Sequence, residues 1–186
     1  MKKLLSKVAA RITHRLAVLF YDDKYLTGKW FPEDHFGLGW QKCIHYWYHQ
    51  KIRKINGHVP FPVPDSMLIG DPNNIEFNCD DIANFWSVGC YYQALGAKIR
   101  IGKGTVVAPG VGIITSNHNV YNLVEHIEGK DVVIGENCWI GMNAVILPGV
   151  ILGNRTIVGA GAVVTKSFPQ GNCVIVGNPA HILRQL

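Results

Sequence analysis

From Ile134 onward an aliphatic side chain returns at every sixth position, at Ile134, Ile140, Ile146, Leu152, Val158 and Val164. Helices repeat at about 3.6 residues and strands at 2, so a period of six belongs to neither. It fits a chain that coils, each short edge turning one aliphatic side chain inward and three hexads closing one triangular turn. Glycine often stands beside these positions, at Gly135, Gly141, Gly153 and Gly159. The expectation is a short strand in each hexad, followed by a tight turn that a residue without Cβ makes cheaply. The same phase runs upstream through Leu95, Ile101, Val107 and Ile113, then skips 21 residues to Ile134. Six does not divide that gap, so an inserted loop is expected over residues 114–132. The alternative for such a glycine-rich segment is a β-sandwich, which has no reason to keep the period.

A chain of 186 residues is one domain, or one with an appendage, and a solenoid this short usually completes its core by oligomerising. The net charge of +5 is unevenly spread. Residues 1–58 carry eleven Lys/Arg against four Asp/Glu, whereas residues 59–186 carry seven against nine. With neither a basic groove nor a recognition motif in the repeat region, the balance argues against nucleic-acid binding. Five cysteines (Cys43, Cys79, Cys90, Cys138, Cys173) are odd in number and lack CxxC spacing, against a disulfide framework or zinc knuckle and in keeping with a reducing cytoplasm.

The basic excess sits in an N-terminal segment, residues 1–58. Leu5, Val8, Ile12, Leu16 and Leu19 fall at helical spacing beside Lys3, Lys7 and Arg11, the pattern of an amphipathic helix. Arg11, His14 and Arg15 interrupt the apolar run as no signal peptide would, and Leu16–Tyr21 is too short to span a bilayer. Residues 36–56 also permit a helix and set Trp40, Tyr46, Trp47 and Tyr48 among Lys42, Lys51, Arg53 and Lys54. Aromatic and basic residues together suit the headgroup layer of an anionic membrane, so peripheral contact through residues 1–56 is one reading; packing on the coil or on a neighbouring subunit is the other. Three prolines in HVPFPVP mark a boundary, with a connection over 59–68, the coil over 69–175 and a tail over 176–186. The first coils are expected to be irregular, because Asp80 and Asp81 break the phase set by Ile69 and Ile75.

With ITSNHNVYNL, VIGENCWIGMNAVILPGV, VGAGAVVTKSF and GNPAHILRQL in view, residues 65–186 resemble the hexapeptide-repeat acyltransferases, most of all the O-acetyltransferases of exopolysaccharide and lipopolysaccharide clusters. The resemblance implies a left-handed parallel β-helix, so the fold expected is mainly β, with the α-helical N-terminal segment read above and a short C-terminal helix. It also implies a homotrimer that uses acetyl-coenzyme A as donor and needs no metal.

Acyl transfer from a thioester to a hydroxyl needs a group that removes the hydroxyl proton during attack, and imidazole, which ordinarily titrates near neutrality, suits that task. The resemblance places this base at His118, in TSNHN where the chain leaves the coil. Glu125, in the same excursion, is a candidate to orient the ring, while His126 is expected to face solvent. By the same resemblance Trp139, Met142, Ala160, Thr165 and Lys166 border the donor channel, and for Gly159 ligand contact and plain turn geometry stay open together. Met142 stands where relatives carry the serine of WIGS, so a backbone N–H, that of Met142 itself among the candidates, would polarise the thioester carbonyl. His181 replaces the Lys or Arg usual in the closing motif, which leaves Arg184 and Lys166 to attract the donor's phosphates.

The expected activity is acetyl transfer to a hydroxyl of a sugar in a surface polysaccharide or its precursor. A small acceptor such as serine, a free sugar, an amino sugar or an antibiotic is the alternative within the class. Outside it stand a non-catalytic scaffold and a γ-class carbonic anhydrase, the latter disfavoured because His118 and His126 are too few and wrongly spaced for a three-histidine metal site.

Overall fold

The computed structural model describes residues 2–186; Met1, the first residue of the expected N-terminal segment, lies outside them. The chain divides into two compact units, one ending at Asp65 and the other running from Ser66 to Leu186.

In the first unit, helix α1 (Lys2–Ala17) packs against helix α2 (Leu38–Trp47), which runs on into a π-turn at Tyr48–Ile52. α1 turns its small residues Ala10, Thr13 and Ala17 inward, which lets the helices approach closely, and leaves the leucine-rich stripe outside. Gln50 is the polar centre of this unit. Its Oε1 accepts from the Tyr21 hydroxyl at 3.0 Å and the Val63 amide at 3.1 Å, and its Nε2 donates to the carbonyls of Asn56 and Phe61. Burial pushes the Tyr21 phenol up, with the nearby Cys43 adding to the effect. The proline-rich stretch expected to be a connection is part of this core: Val59, Phe61 and Val63 are fully buried, and Pro62 and Pro64 are buried with them.

The second unit is mainly β, with short parallel strands. In chain order they begin with β1 (Leu68–Ile69), β2 (Ile75–Glu76), β3 (Tyr91–Tyr92), β4 (Ile99–Ile101), β5 (Val106–Val107) and β6 (Gly112–Ile113). A hairpin of β7 (His118–Asn119) and β8 (Asn122–His126) comes next, then β9 (Val132–Ile134), β10 (Trp139–Ile140), β11 (Val145–Ile146) and β12 (Ile151–Leu152). The chain closes with β13 (Thr156–Val158), β14 (Val163–Val164), β15 (Cys173–Val176) and β16 (His181–Gln185). β1, β3, β6, β11 and β14 form sheet A; β2, β4, β9 and β12 form sheet B; β5, β10, β13, β15 and β16 form sheet C. From β4 to β14 the chain visits B, C and A in rotation, so each hexad contributes one strand. Ile134 pairs with Leu152, Ile140 with Val158 and Ile146 with Val164, 18 positions apart in every case. All six of these side chains are at most 1% exposed. The residues two positions earlier, Cys138, Ala144, Val150, Thr156 and Ala162, are buried as well. Upstream, Ile101, Val107 and Ile113 are buried, but Leu95 is exposed; Ala94 takes the inward place at that corner.

The glycines beside the aliphatic positions answer a different need from the one expected. A Cβ on Gly141 would lie 2.7 Å from the Ala160 nitrogen and the Val158 oxygen, and one on Gly135 would lie 2.6 Å from the Asn154 nitrogen. They are bare because stacked turns touch there. The left-handed backbone falls two residues later, at Asn137 (φ 53°), Asn143 (φ 58°), Arg155 (φ 56°) and Gly161 (φ 70°). Asparagine tolerates that region better than most residues, which is why glycine is not required at each turn.

Apart from the inserted excursion, the coiling departs from regularity near both ends. Between β2 and β3 sheet C has no strand. A 3-10 segment, Cys79–Trp86, stands in its place, and Asn84 pairs with the edge of β5 by donating to the Thr105 carbonyl at 2.8 Å and accepting from the Val107 amide at 3.0 Å. At the other end, the tail expected to be a short helix is the strand β16, antiparallel to β15. Residues 181–186 are too few to offset helix nucleation, whereas the free edge of β15 offers ready partners.

Candidate active site

The inserted excursion leaves the A-to-B corner after Ile113 and rejoins at Val132, so that Ile101 pairs with Ile134, 33 positions on rather than 18. Its root is fixed by buried polar groups. The Gln93 side chain accepts from the Thr115 and Ser116 amides at 3.1 and 2.8 Å, the Ser116 hydroxyl donates to the Ile127 carbonyl, and the Lys130 amide donates to the Thr115 carbonyl. Beyond this root the chain forms the hairpin β7–β8, helped at its tip by Asn119, whose side chain accepts from the Tyr121 amide.

His118 lies at the start of the hairpin and is exposed. The pairing is irregular: His118 faces His126 and Asn119 faces Asn122, so one step along β7 matches four along β8. The extra residues bulge, which brings the Leu123 carbonyl to 2.8 Å from His118 Nδ1. A carbonyl only accepts, so Nδ1 is the donor, and in the neutral ring the lone pair then lies on Nε2. Glu125 does not hold the ring; its carboxylate accepts from the Asn119 side-chain Nδ2 instead, at 3.5 Å. His126 is exposed and stacks on His118, with ring centroids 4.2 Å apart. The orienting carbonyl could not have been found from residue types, because every residue carries one. Gln93 was also invisible, lying one coil away in sequence.

The residues expected to border the donor channel fall into three places. Trp139, half exposed on β10, and Arg184 on β16 lie on the outer face of sheet C, linked through Ile157 and Val174 by direct register. Met142, Gly159 and Ala160 lie at the next corner, between sheets C and A, where the Gly161 amide donates to the Met142 carbonyl at 2.8 Å. Gly159 faces Val176, whose Cγ1 would be 2.7 Å from a Cβ added there. Thr165 and Lys166 come directly after β14, at the A-to-B corner. They share that edge with the root of the hairpin: the Ser167 hydroxyl contacts Gly149, and Gly149 faces the Lys130 side chain. One chain therefore joins Lys166 to the His118 edge and keeps Trp139, Met142 and Arg184 on the far side of sheet A. Among the described residues no cluster of three or more His, Cys, Asp or Glu is placed to hold a metal ion, and no helix is long and apolar enough to cross a membrane.

Residues 131–166, which hold β9 to β14, match the family model described as bacterial transferase hexapeptide (six repeats). Relatives of the hexapeptide segment bear matching names. A candidate acetyltransferase of Saccharomyces cerevisiae is 33% identical over 111 residues, 54% of this chain and 52% of that protein. The polysialic acid O-acetyltransferase of Neisseria meningitidis is 44% identical over 58 residues, 28% of this chain and 26% of that one. Among solved structures, a hexapeptide-repeat-containing acetyltransferase of Vibrio cholerae aligns over 100% of this chain and 98% of its own at 22% identity and a TM-score of 0.50, a likeness of fold. The chain spans about half or less of the length of these curated relatives.

Proposed function

We propose that the protein is an O-acetyltransferase that moves the acetyl group of acetyl-coenzyme A onto a hydroxyl of a sugar in a surface polysaccharide or its precursor. We read the rotating sheets as a left-handed β-helix, and the working form as a homotrimer. The observation that carries the reading is the hydrogen bond from His118 Nδ1 to the Leu123 carbonyl. It leaves Nε2 as a fixed, solvent-facing proton acceptor, the state a general base must be in before reaction. The hexapeptide segment and the acetyltransferase names of the relatives support the reaction class, and the polysialic acid enzyme supports a saccharide acceptor.

In this mechanism His118 Nε2 removes the acceptor hydroxyl proton as its oxygen attacks the thioester carbonyl. The C–S bond of the tetrahedral adduct then breaks, and the imidazolium returns its proton to the departing thiolate. No acyl-enzyme is formed. The Met142 amide has no backbone acceptor among the described residues, and on this reading it donates to the adduct's oxygen. The orienting role expected of Glu125 passes to the Leu123 carbonyl.

Calorimetric titration of acetyl-coenzyme A, run beside acetyl-transfer assays on oligosaccharide acceptors, tests this. His118→Ala is expected to keep donor affinity within about twofold and to lose roughly 10²–10⁴ in turnover, the range for a general base, while Glu125→Gln stays near the parent. Failure of the parent protein to bind the donor would overturn the reading, as would full turnover by His118→Ala.

A further inference from the structure

No residue of the basic N-terminal unit is assigned a role in that chemistry, and its most apolar surface is left uncovered. On α1, Leu5, Val8, Ile12 and Leu16 are 63, 45, 54 and 56% exposed, although α1 is packed against α2. At about 100° per residue the stripe they form is centred roughly 130° around the helix from the buried Ala10, Thr13 and Ala17. Lys7, Arg11 and Arg15 run along one flank of the stripe, and the helix carries no acidic residue. α2 and its π-turn continue the apolar surface with Ile44, Tyr48 and Ile52, which are 60, 53 and 55% exposed at four-residue spacing. The two faces meet in a groove of about 290 Å³ lined by Leu16, Phe20, Ile44 and Trp47.

We infer that this α1–α2 face is a docking surface for an anionic lipid bilayer, with α1 lying in the plane of the interface. A helix of this kind buries its apolar stripe at the level of the acyl chains while flanking Lys and Arg side chains reach the headgroups. Charge decides the occupant. A second copy would bring five cations of one α1 (Lys2, Lys3, Lys7, Arg11, Arg15) against five of another with no acid on either helix, whereas anionic headgroups neutralise them. At 16 residues α1 is too short to cross a bilayer, so this helix lies on the membrane rather than spanning it. The inference does not depend on acetyl transfer.

Flotation of the full chain with phosphatidylglycerol-containing vesicles, compared with phosphatidylcholine alone, provides the test. The protein is expected to float with the anionic vesicles and to be released as salt is raised. Substituting Lys7, Arg11 and Arg15 together by Gln should weaken partitioning about a hundredfold, since each cation near the surface contributes a factor of about five. Ile12→Glu with Leu16→Glu should abolish it. Arg11, Ile12, Arg15 and Leu16 are exposed and Lys7 is only half-buried, so unchanged circular dichroism and melting will show that the variants remain folded. A parent protein that stays behind with both vesicle types would overturn the inference, as would a glutamate variant that floats like the parent. A glutamate variant that sediments as a smaller species in the absence of lipid, with no flotation by the parent, would assign the face to a second copy and equally overturn it.

Discussion

Replacing Asn84 with leucine removes both hydrogen bonds by which the 3-10 segment Cys79–Trp86 closes the edge of sheet C. Asn84 is 6% exposed, and leucine fills a similar volume, so the cost is mainly that of the groups left behind. The Thr105 carbonyl loses its 2.8 Å donor and the Val107 amide loses its 3.0 Å acceptor. A buried polar group deprived of its partner costs about 1–3 kcal/mol, so the pair costs about 2–6 kcal/mol. For a chain of this size each kcal/mol lowers Tm by about 2–4 °C, so a fall of roughly 5–20 °C is expected by scanning calorimetry. Hydrogen exchange adds the location: the Val107 amide should lose protection first, while amides of the helical unit keep theirs. A Tm within about 2 °C of the parent, with Val107 exchange unchanged, would refute the view that a side-chain amide replaces the missing strand.

Gly141→Ala is expected to destabilise by about 1–3 kcal/mol, the cost of overpacking, because its Cβ would press on the Ala160 nitrogen and Val158 oxygen at 2.7 Å. Asn143→Gly, two positions on at φ 58°, should be nearly neutral or mildly stabilising, and urea midpoints of the two variants separate layer contact from turn geometry. On the outer face of sheet B, Arg100 bonds Glu76 at 2.9 Å and Asp131 at 2.6 Å, and Lys98 joins both acids. The Lys98 side chain foremost, then Arg100, holds the Glu76 carboxyl below its usual range; for Asp131 the Lys98 backbone amide leads and Arg100 comes second. Depressed folded-state values contribute stability above about pH 4 that is lost as pH falls through them. A Glu76→Gln/Asp131→Asn variant should therefore show a shallower loss of Tm below about pH 4 than the parent.

How far the chain can be read in one dimension depends on which physical constraint each residue obeys. The inward positions are legible because burial in a coil of constant rise repeats strictly, and Ile134 to Val164 obey it without exception. The role of the glycines is not, because bareness for a left-handed turn and bareness for contact between layers look alike in a sequence. Asn137 and Asn143 hold the left-handed positions without announcing them. Leu95 keeps the period yet turns outward, and the early irregularity hides an ordered substitute strand whose pairing depends on Asn84. In the tail, the end of the repeat leaves helix and strand equally open, and only the free edge of β15 decides for a strand. In the N-terminal segment the apolar stripe is plain, but nothing in it says that the side facing α2 is the alanine side.

The division of the candidate site across sheet A bears directly on how many chains a working site requires. The hairpin that carries His118 is rooted at the corner between sheets A and B, while Met142 lies at the corner between C and A. The stretch of sheet A between those corners, roughly Asn143 to Leu147, spans about 13 Å at about 3.3 Å per residue. A hydroxyl held by His118 must come within about 3.5 Å of the thioester carbon, so a separation of this size between hairpin root and donor corner favours, on the proposed reading, a donor carried by another chain. On the proposed reading the two halves meet when a second copy presents its C-to-A corner to the first copy's hairpin. Mixing two inactive variants distinguishes the cases. His118→Ala and Met142→Glu, unfolded together and refolded at equal ratio, should regain about a quarter of parent activity, since in a closed ring of identical interfaces about one in four pairs an intact base with an intact donor corner. Each variant refolded alone should stay inactive. Mixtures that remain as inactive as the separate variants, although calorimetry shows donor binding by the His118→Ala chains and sedimentation shows mixed oligomers, would mean that each chain completes its own site, and the assignment of Met142 to the donor would fall with it.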